Sequence, residues 1–450
     1  MKFFKTHISL FSVFEFFLCL FVFLLPWSTI WIIQESFFNG SKLDYETIGI
    51  YVVEIILWCT VGTALLAWKL KNKEENNIFR VIQPHEKKIL FCIGIFLLYI
   101  FSSVLWSWNK AIGLMHWLRI FEAIGILFFV FFSTVDAKKL LQWFVAGAVA
   151  QSVLGIYQFM TQSTFSFKWL GLVSHPLLET GTSVIQSPEV GRWLRAYGAF
   201  PHPNIFGGYL IVGLICTALV FLFFEKKKHT LIVTACWILQ LMALFFTFSR
   251  SAWLSALILL FVLFVFGVCV QKKYGLLNFK KKSFLLIIIS LILIPGMIYV
   301  YFPLIQTRAQ VQSFHEVRSV EERKSALEQG LGIFFQHPFF GVGSGNYTVA
   351  LKEGNPQAPG HAIQPVHNVF LLFLCELGIV GLLIFFSHIP FYLHKIKGKR
   401  LFVLGMVCVF APILLLDHYI YSLPIGMFFF AFLLGIAKKV FSTVYPQNIH

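Results

Sequence analysis

The amino-acid sequence predicts an all-α, polytopic membrane protein of about twelve transmembrane helices, with a large extracytoplasmic loop between spans nine and ten. Three observations carry this. Of the 450 residues 58% are hydrophobic and 12% charged, against about 25% charged in soluble domains. Apolar runs long enough to cross a hydrocarbon core of ~30 Å at ~1.5 Å per residue recur along the whole chain. Lysine and arginine gather in alternate connections, as the positive-inside rule requires.

Taken in order, span one covers 8–33. It exceeds a secretory h-region and runs into Trp27, Trp31 and a polar loop without a small-residue cleavage site, so it reads as an anchor. Spans two to five cover 47–68, 89–107, 111–132 and 140–161; spans six to nine cover 204–224, 230–247, 251–270 and 284–302; the last three cover 368–392, 401–417 and 422–437. With the N-terminus inside, 24 of the 36 Lys and Arg fall in inner segments, which places both termini in the cytoplasm and the protein in the inner (plasma) membrane. The net charge of +16 then reports orientation and contact with anionic membrane lipids. Nucleic acid is excluded as a partner, because no soluble basic domain is present to bind it.

All eight cysteines (Cys19, Cys59, Cys92, Cys216, Cys236, Cys269, Cys375, Cys408) lie in apolar runs, which argues against a disulfide framework. No CxxC pair or His/Cys cluster has zinc spacing, so neither a metal nor another cofactor is expected.

Two outer segments are long, about 162–203 and 303–367, and long ordered loops are more often functional than plain connections. The chain is one transmembrane domain, 1–450, with 303–367 as a helical loop inside it. In that loop Val317, Val320, Leu327 and Leu331 approximate a helical stripe opposite Glu321, Arg323 and Lys324, which predicts an amphipathic helix lying across the outer face. The following HPFFGVGSGNY is a Gly-rich turn, read as a connector or as a place where backbone approaches a ligand. It lacks the Lys-Ser/Thr of a Walker loop.

Polar residues cluster where even-numbered spans begin. Each such helix starts at the outer face and presents free N–H groups and its positive dipole end there. RWLRAYGAFPHPN precedes span six, FSRSAW precedes span eight and QPVHNVF precedes span ten, supplying Arg192, Arg195, His202, Asn204, Arg250, His367 and Asn368. Helix N-termini with guanidiniums favour an anion, and at this depth a lipid-linked phosphate whose tail stays in hydrocarbon. Plainer readings stand beside this: Asn204 and Ser249 as caps, Arg195 and Arg250 as snorkelling side chains, His202 as structural. His367 is the candidate for chemistry, since a neutral imidazole takes a proton near neutral pH. Arg119 and Glu122, three apart in span four, read as an internal salt bridge, and Glu376 pairs inside the bundle. Asp417 and His418 emerge where they reach either the same cavity or the headgroups.

RAYGAFPHPNIFGGYL, FTFSRSAWLS, the run from Arg323 to GVGSGNY, and HNVFLLFLCELGIVGLL together resemble the bacterial O-antigen ligase and polymerase superfamily, which includes protein O-oligosaccharyltransferases. The likeness is strong over about Arg192 to Gly381 and topological elsewhere. It implies a metal-independent, inverting membrane glycosyltransferase whose donor is a glycan on undecaprenyl diphosphate and whose acceptor is a glycan, lipid or protein hydroxyl. By this resemblance Arg195 and Arg250 look like diphosphate ligands and His367 like the catalytic histidine. Arg323 fits the family's loop arginine, with Arg318 competing for that register. Polymerase and ligase versions share these motifs. The alternative is a transporter or flippase of a lipid-linked glycan, which calls for charges near the bilayer midplane on broken helices.

Overall fold

The computed structural model describes residues 9–70, 77–179, 181–187, 189–224, 229–274, 279–310, 314–387 and 400–444. Of the inner-side charges, Lys2, Lys5, Lys71, Lys73, Lys226, Lys227, Lys228, Lys395, Lys397 and Lys399 lie outside the described residues, as do the side chains of Lys272 and Lys273.

Each predicted span contains a helix. In chain order these are α1 (Leu10–Leu24), α2 (Val52–Lys69), α3 (Pro84–Ser103), α4 (Lys110–Phe132), α5 (Ala137–Thr161), α6 (Pro203–Leu219), α7 (Thr230–Phe246), α8 (Arg250–Tyr274) and α9 (Phe279–Val300). The long loop then folds into α10 (Phe302–Gln310), α11 (Phe314–Gln336) and α12 (Tyr347–Gly354), followed by α13 (Val369–Phe386), α14 (Arg400–Leu416), the short α15 (Tyr419–Ser422) and α16 (Pro424–Val444). Among the described residues eight helices are long and apolar enough to cross a membrane by length and composition; α1, α7 and α14 are shorter apolar helices. The protein is an all-α polytopic membrane protein.

Local signals set the starts. Pro84 opens α3, and Glu86 reaches back to the Gln83 N–H at 2.9 Å, closing one orphan donor of the first turn. Asn109 caps α4 and Asp136 caps α5. The expected first span of 8–33 is too long. Leu24 ends α1 just before Pro26, and β1 (Ile30–Gln34) leaves the bundle to pair antiparallel with β4 (Ile48–Tyr51). Its β-branched residues serve a strand better than a helix. Two further hairpins complete this end of the molecule: β2 (Phe37–Phe38) with β3 (Ser41–Lys42), and β5 (Val184–Ser187) with β6 (Gly191–Leu194).

The central helix is α6, buried along its full length. The two long outer segments, 162–203 and 303–367, pack at one end of the bundle, where Ser28 donates to Ala199 O, Asn39 to Pro356 O and Ala358 O, and Asn109 N to Asn346 Oδ1. At the opposite end lie Arg80 on Glu86, Lys139 on Glu15, and Lys439 on Ser133.

The expected loop helix exists, and its apolar stripe points away from the bundle. In α11, Val320, Leu327 and Leu331 are exposed, while Gly330 and Ile333 are buried and Arg323 and Ala326 partly so; the side chain of Val317 lies outside the described ones. The packed face is chosen by Gly330, which lets Leu371 and Cys375 of α13 come close, with Cys375 Sγ donating to Gly330 O at 3.1 Å. An outward apolar stripe on such a helix suits a lipid interface.

The Gly-rich turn approaches backbone rather than leaving itself open. Helix α13 is interrupted at Gly378, φ 66°, and the turn fills the break: Val342 N and Gly343 N donate to Cys375 O and Glu376 O, while Ile379 N and Val380 N donate to Pro338 O and Phe339 O. Gly341, φ 68°, packs so tightly on Glu376 that a Cβ would collide with its carbonyl. Glu376 pairs inside the bundle as expected, accepting from Gly345 N at 2.7 Å and Tyr421 Oη at 3.0 Å. Arg119, expected on Glu122, has its carboxylate partner on another helix: Nε lies 3.7 Å from Glu54 Oε1, and Glu122 accepts from Trp58 Nε1.

Candidate functional site

Asp417, buried where α14 ends, gathers the three predicted helix starts. Its Oδ1 accepts from Asn204 Nδ2 of α6 at 3.1 Å and its Oδ2 from Ser251 Oγ of α8 at 2.7 Å. His367, just ahead of α13, brings Nδ1 to 4.0 Å from Oδ1. Arg250 stands beside Ser251 on the first turn of α8. Asn368 caps α13 by accepting from Leu371 N and reaches Leu415 O, so its role is helix initiation next to the imidazole.

The turn between α7 and α8 prepares the cationic side. Phe248 is buried at φ 48°, a left-handed conformation that costs a bulky residue on the order of 1–3 kcal/mol. It directs the last carbonyls of α7, at the negative end of that helix, toward two arginines. Arg195 Nε donates to Thr247 O at 2.7 Å and Arg308 Nε to Phe248 O at 3.2 Å. Arg195 also donates to Ser183 Oγ at 2.6 Å and Asn204 Oδ1 at 2.8 Å. Its guanidinium therefore braces β5, α6 and α7 as well as charging the site.

The two candidate loop arginines are placed differently. Arg318 pairs with Glu322 at 2.8 Å with its side chain 52% exposed. Arg323 lies on the packed face of α11, near enough to His202 and His367 for its charge to depress both imidazoles. Arg192 stands apart: it donates to Leu177 O, Gln186 Oε1 and Glu179 O, holding its own hairpin. Arg308 was missed by sequence reading. Its signal was faint, a lone cation in the short run FPLIQTRAQ after span nine.

Three histidines line the cluster. His202 caps α6, its Nδ1 accepting from Asn204 N at 3.1 Å, which puts its proton on Nε2. Burial first, then the charges of Arg195, His367, Arg308 and Arg323, hold it neutral, well below the usual imidazole range. His418 shares a 2.7 Å hydrogen bond with Ser422 Oγ and lies 5.0 Å from His367, ring to ring; burial and the neighbouring imidazoles push it down as well. His367 is shifted down by burial, with Asp417 opposing and Arg323 reinforcing the shift. Its side chain stays 28% exposed, and Nδ1 has no hydrogen-bond partner among the described residues. Burial thus favours the neutral form of an imidazole that has a carboxylate behind it.

The fold and the site define an integral membrane protein that gathers guanidiniums and a neutral imidazole at one end of its helical bundle. Residues 235–386 match the family model described as O-antigen ligase, which supports the resemblance read from the motifs and O-antigen ligase or polymerase-type membrane glycan processing. The matched stretch includes Arg250, Arg308, Arg323 and His367; Arg195, His202, Asn204 and Asp417 lie outside it. No curated protein matches the chain.

Proposed function

We propose that the protein transfers or polymerises a glycan from undecaprenyl diphosphate onto an acceptor hydroxyl at the extracytoplasmic face of the membrane. The observation that carries this is the neutral His367, 4.0 Å from the buried Asp417, in a cluster that also holds Arg195, Arg308 and Arg323. Each residue type has a task. Breaking the anomeric carbon–oxygen bond sends its electron pair to the leaving diphosphate, and fixed guanidiniums stabilise that charge without a metal. His367 takes the acceptor's proton as the acceptor oxygen bonds to the anomeric carbon, and in-line attack inverts that centre. Asp417, 4.0 Å from Nδ1, offsets the imidazolium that forms; Nδ1 is buried, which leaves Nε2 as the base. The loop end of the bundle is then extracytoplasmic and the lysine-bearing end cytoplasmic.

Purified protein with an undecaprenyl-diphosphate-linked glycan and its acceptor should release the carrier diphosphate. Arg323→Ala should raise the donor KM about 10- to 100-fold, the worth of one charge-assisted contact of roughly 1.5–3 kcal/mol, while Arg318→Ala stays within twofold. Equal effects from the two would remove the assignment of Arg323.

Asp417 raises the His367 pKa, so Asp417→Asn lowers it further. The acid limb of the pH profile of kcat/KM should therefore move to lower pH, with a smaller plateau because the base is weaker. A limb unmoved, or moved to higher pH, would exclude Asp417 as the partner of His367.

A further inference from the structure

A cavity of about 40 Å³ opens at the same end of the bundle, lined by Tyr45, Glu46, Arg119, Thr348, Glu376 and Ser422 among others. It shares walls with the histidine cluster. Tyr45 Oη is 3.5 Å from His418 Nε2, and Ser422 Oγ meets His418 Nδ1 at 2.7 Å. The His418 ring, in contact with Tyr45 and Ser422 of this lining, lies 5.0 Å from the His367 ring. Four lining residues keep a buried polar atom with no hydrogen-bond partner among the described residues: Glu46 Oε1, Arg119 Nε, Tyr347 Oη and Thr348 Oγ1. Such orphans are costly unless a bound molecule relieves them.

The lining says what that molecule is. The charges here are already balanced, Glu46 by Lys352 at 2.7 Å and Arg119 by Glu54 at 3.7 Å, and Glu376 adds a carboxylate, so this wall does not attract the diphosphate that the arginine cluster attracts. Carboxylate, guanidinium and hydroxyl groups above the apolar Ile48, Ile112 and Met115 suit a neutral polyhydroxyl ring, polar at its edge and apolar on its face. At ~10–15 Å³ per water, the volume holds about three waters, room for the hydroxyl-bearing edge of a ring and not for a whole ring. We propose that this cavity binds the acceptor sugar by a hydroxyl-bearing edge, leaving its nucleophilic hydroxyl toward His367. The proposal rests on the glycan-transfer reading above and assigns the acceptor to a subsite distinct from the donor's.

Thr348→Val tests it, because loss of a partnerless buried hydroxyl costs the fold nothing. In the transfer assay it should raise the acceptor KM at least fivefold, with the donor KM within twofold and the thermal midpoint no lower than wild type. Glu46→Gln, which keeps an acceptor oxygen for Lys352, should act in the same direction. An unchanged acceptor KM, or a fall in kcat with that KM constant, would overturn the subsite. A binding arm separates this from failure of the transfer reading: saturation-transfer NMR on the detergent-solubilised protein with glucose, galactose, rhamnose and N-acetylglucosamine. Binding of at least one sugar, weakened by Thr348→Val, supports the subsite even if no donor is turned over; binding of none by the wild type overturns it.

Discussion

His367→Ala is expected to lower kcat for glycan transfer about 10²- to 10⁴-fold, the range a positioned general base supplies, with the donor KM changed less than threefold. The split follows from position. The guanidiniums meet the diphosphate before and during bond breaking, whereas the imidazole is needed only once the acceptor hydroxyl begins to lose its proton. The His367 side chain is 28% exposed and its Nδ1 bonds to nothing described, so its removal leaves the fold almost untouched. Steady-state kinetics on protein of wild-type thermal midpoint measures this. A variant that keeps more than a tenth of the wild-type kcat would take the base role from His367. His418 would then be the next imidazole to test, although its burial and its bond to Ser422 leave it less able to reach a substrate.

Arg195→Ala should cost on the order of 3–5 kcal/mol of stability, because two buried acceptors, Thr247 O and Asn204 Oδ1, and the half-buried Ser183 Oγ lose a charged donor together. The thermal midpoint in detergent is expected to fall by roughly 5 °C or more. Arg195→Lys should not restore it, since one ammonium on a flexible stem cannot span three acceptors arranged for a planar fork. The same substitution frees Asn204, which holds Asp417 at 3.1 Å, so activity falls with stability. An alanine variant with a wild-type midpoint and only a raised donor KM would show that this arginine contacts the donor and braces nothing.

These two residues mark how much of the site was legible. His367 could be read because a titratable group just ahead of an apolar helix is unusual in such a composition, and the helix start beside it is a local feature. Arg195 was equally visible as a charge, but its structural duty was not. That duty depends on a carbonyl 52 residues away, turned by the strained Phe248, and local pattern carries no trace of it. The register between Arg318 and Arg323 stayed open for a related reason. An apolar stripe normally identifies the buried side of a helix, but the stripe of α11 is exposed, and the glycine at 330 selected its packed face instead.

The bundle itself was determined by the sequence alone: twelve apolar segments, their alternation with basic connections, and the polar signatures at three helix starts. Transfer into hydrocarbon is a property of each segment by itself, so composition and order suffice. Tertiary structure decided which of those polar residues meet. Asp417 joins Asn204, 213 positions away, and Ser251, 166 away, and Arg308 enters from a helix with no mark of function. Contacts of that span depend on how helices pack against one another, a choice made by shape and small residues across the whole bundle.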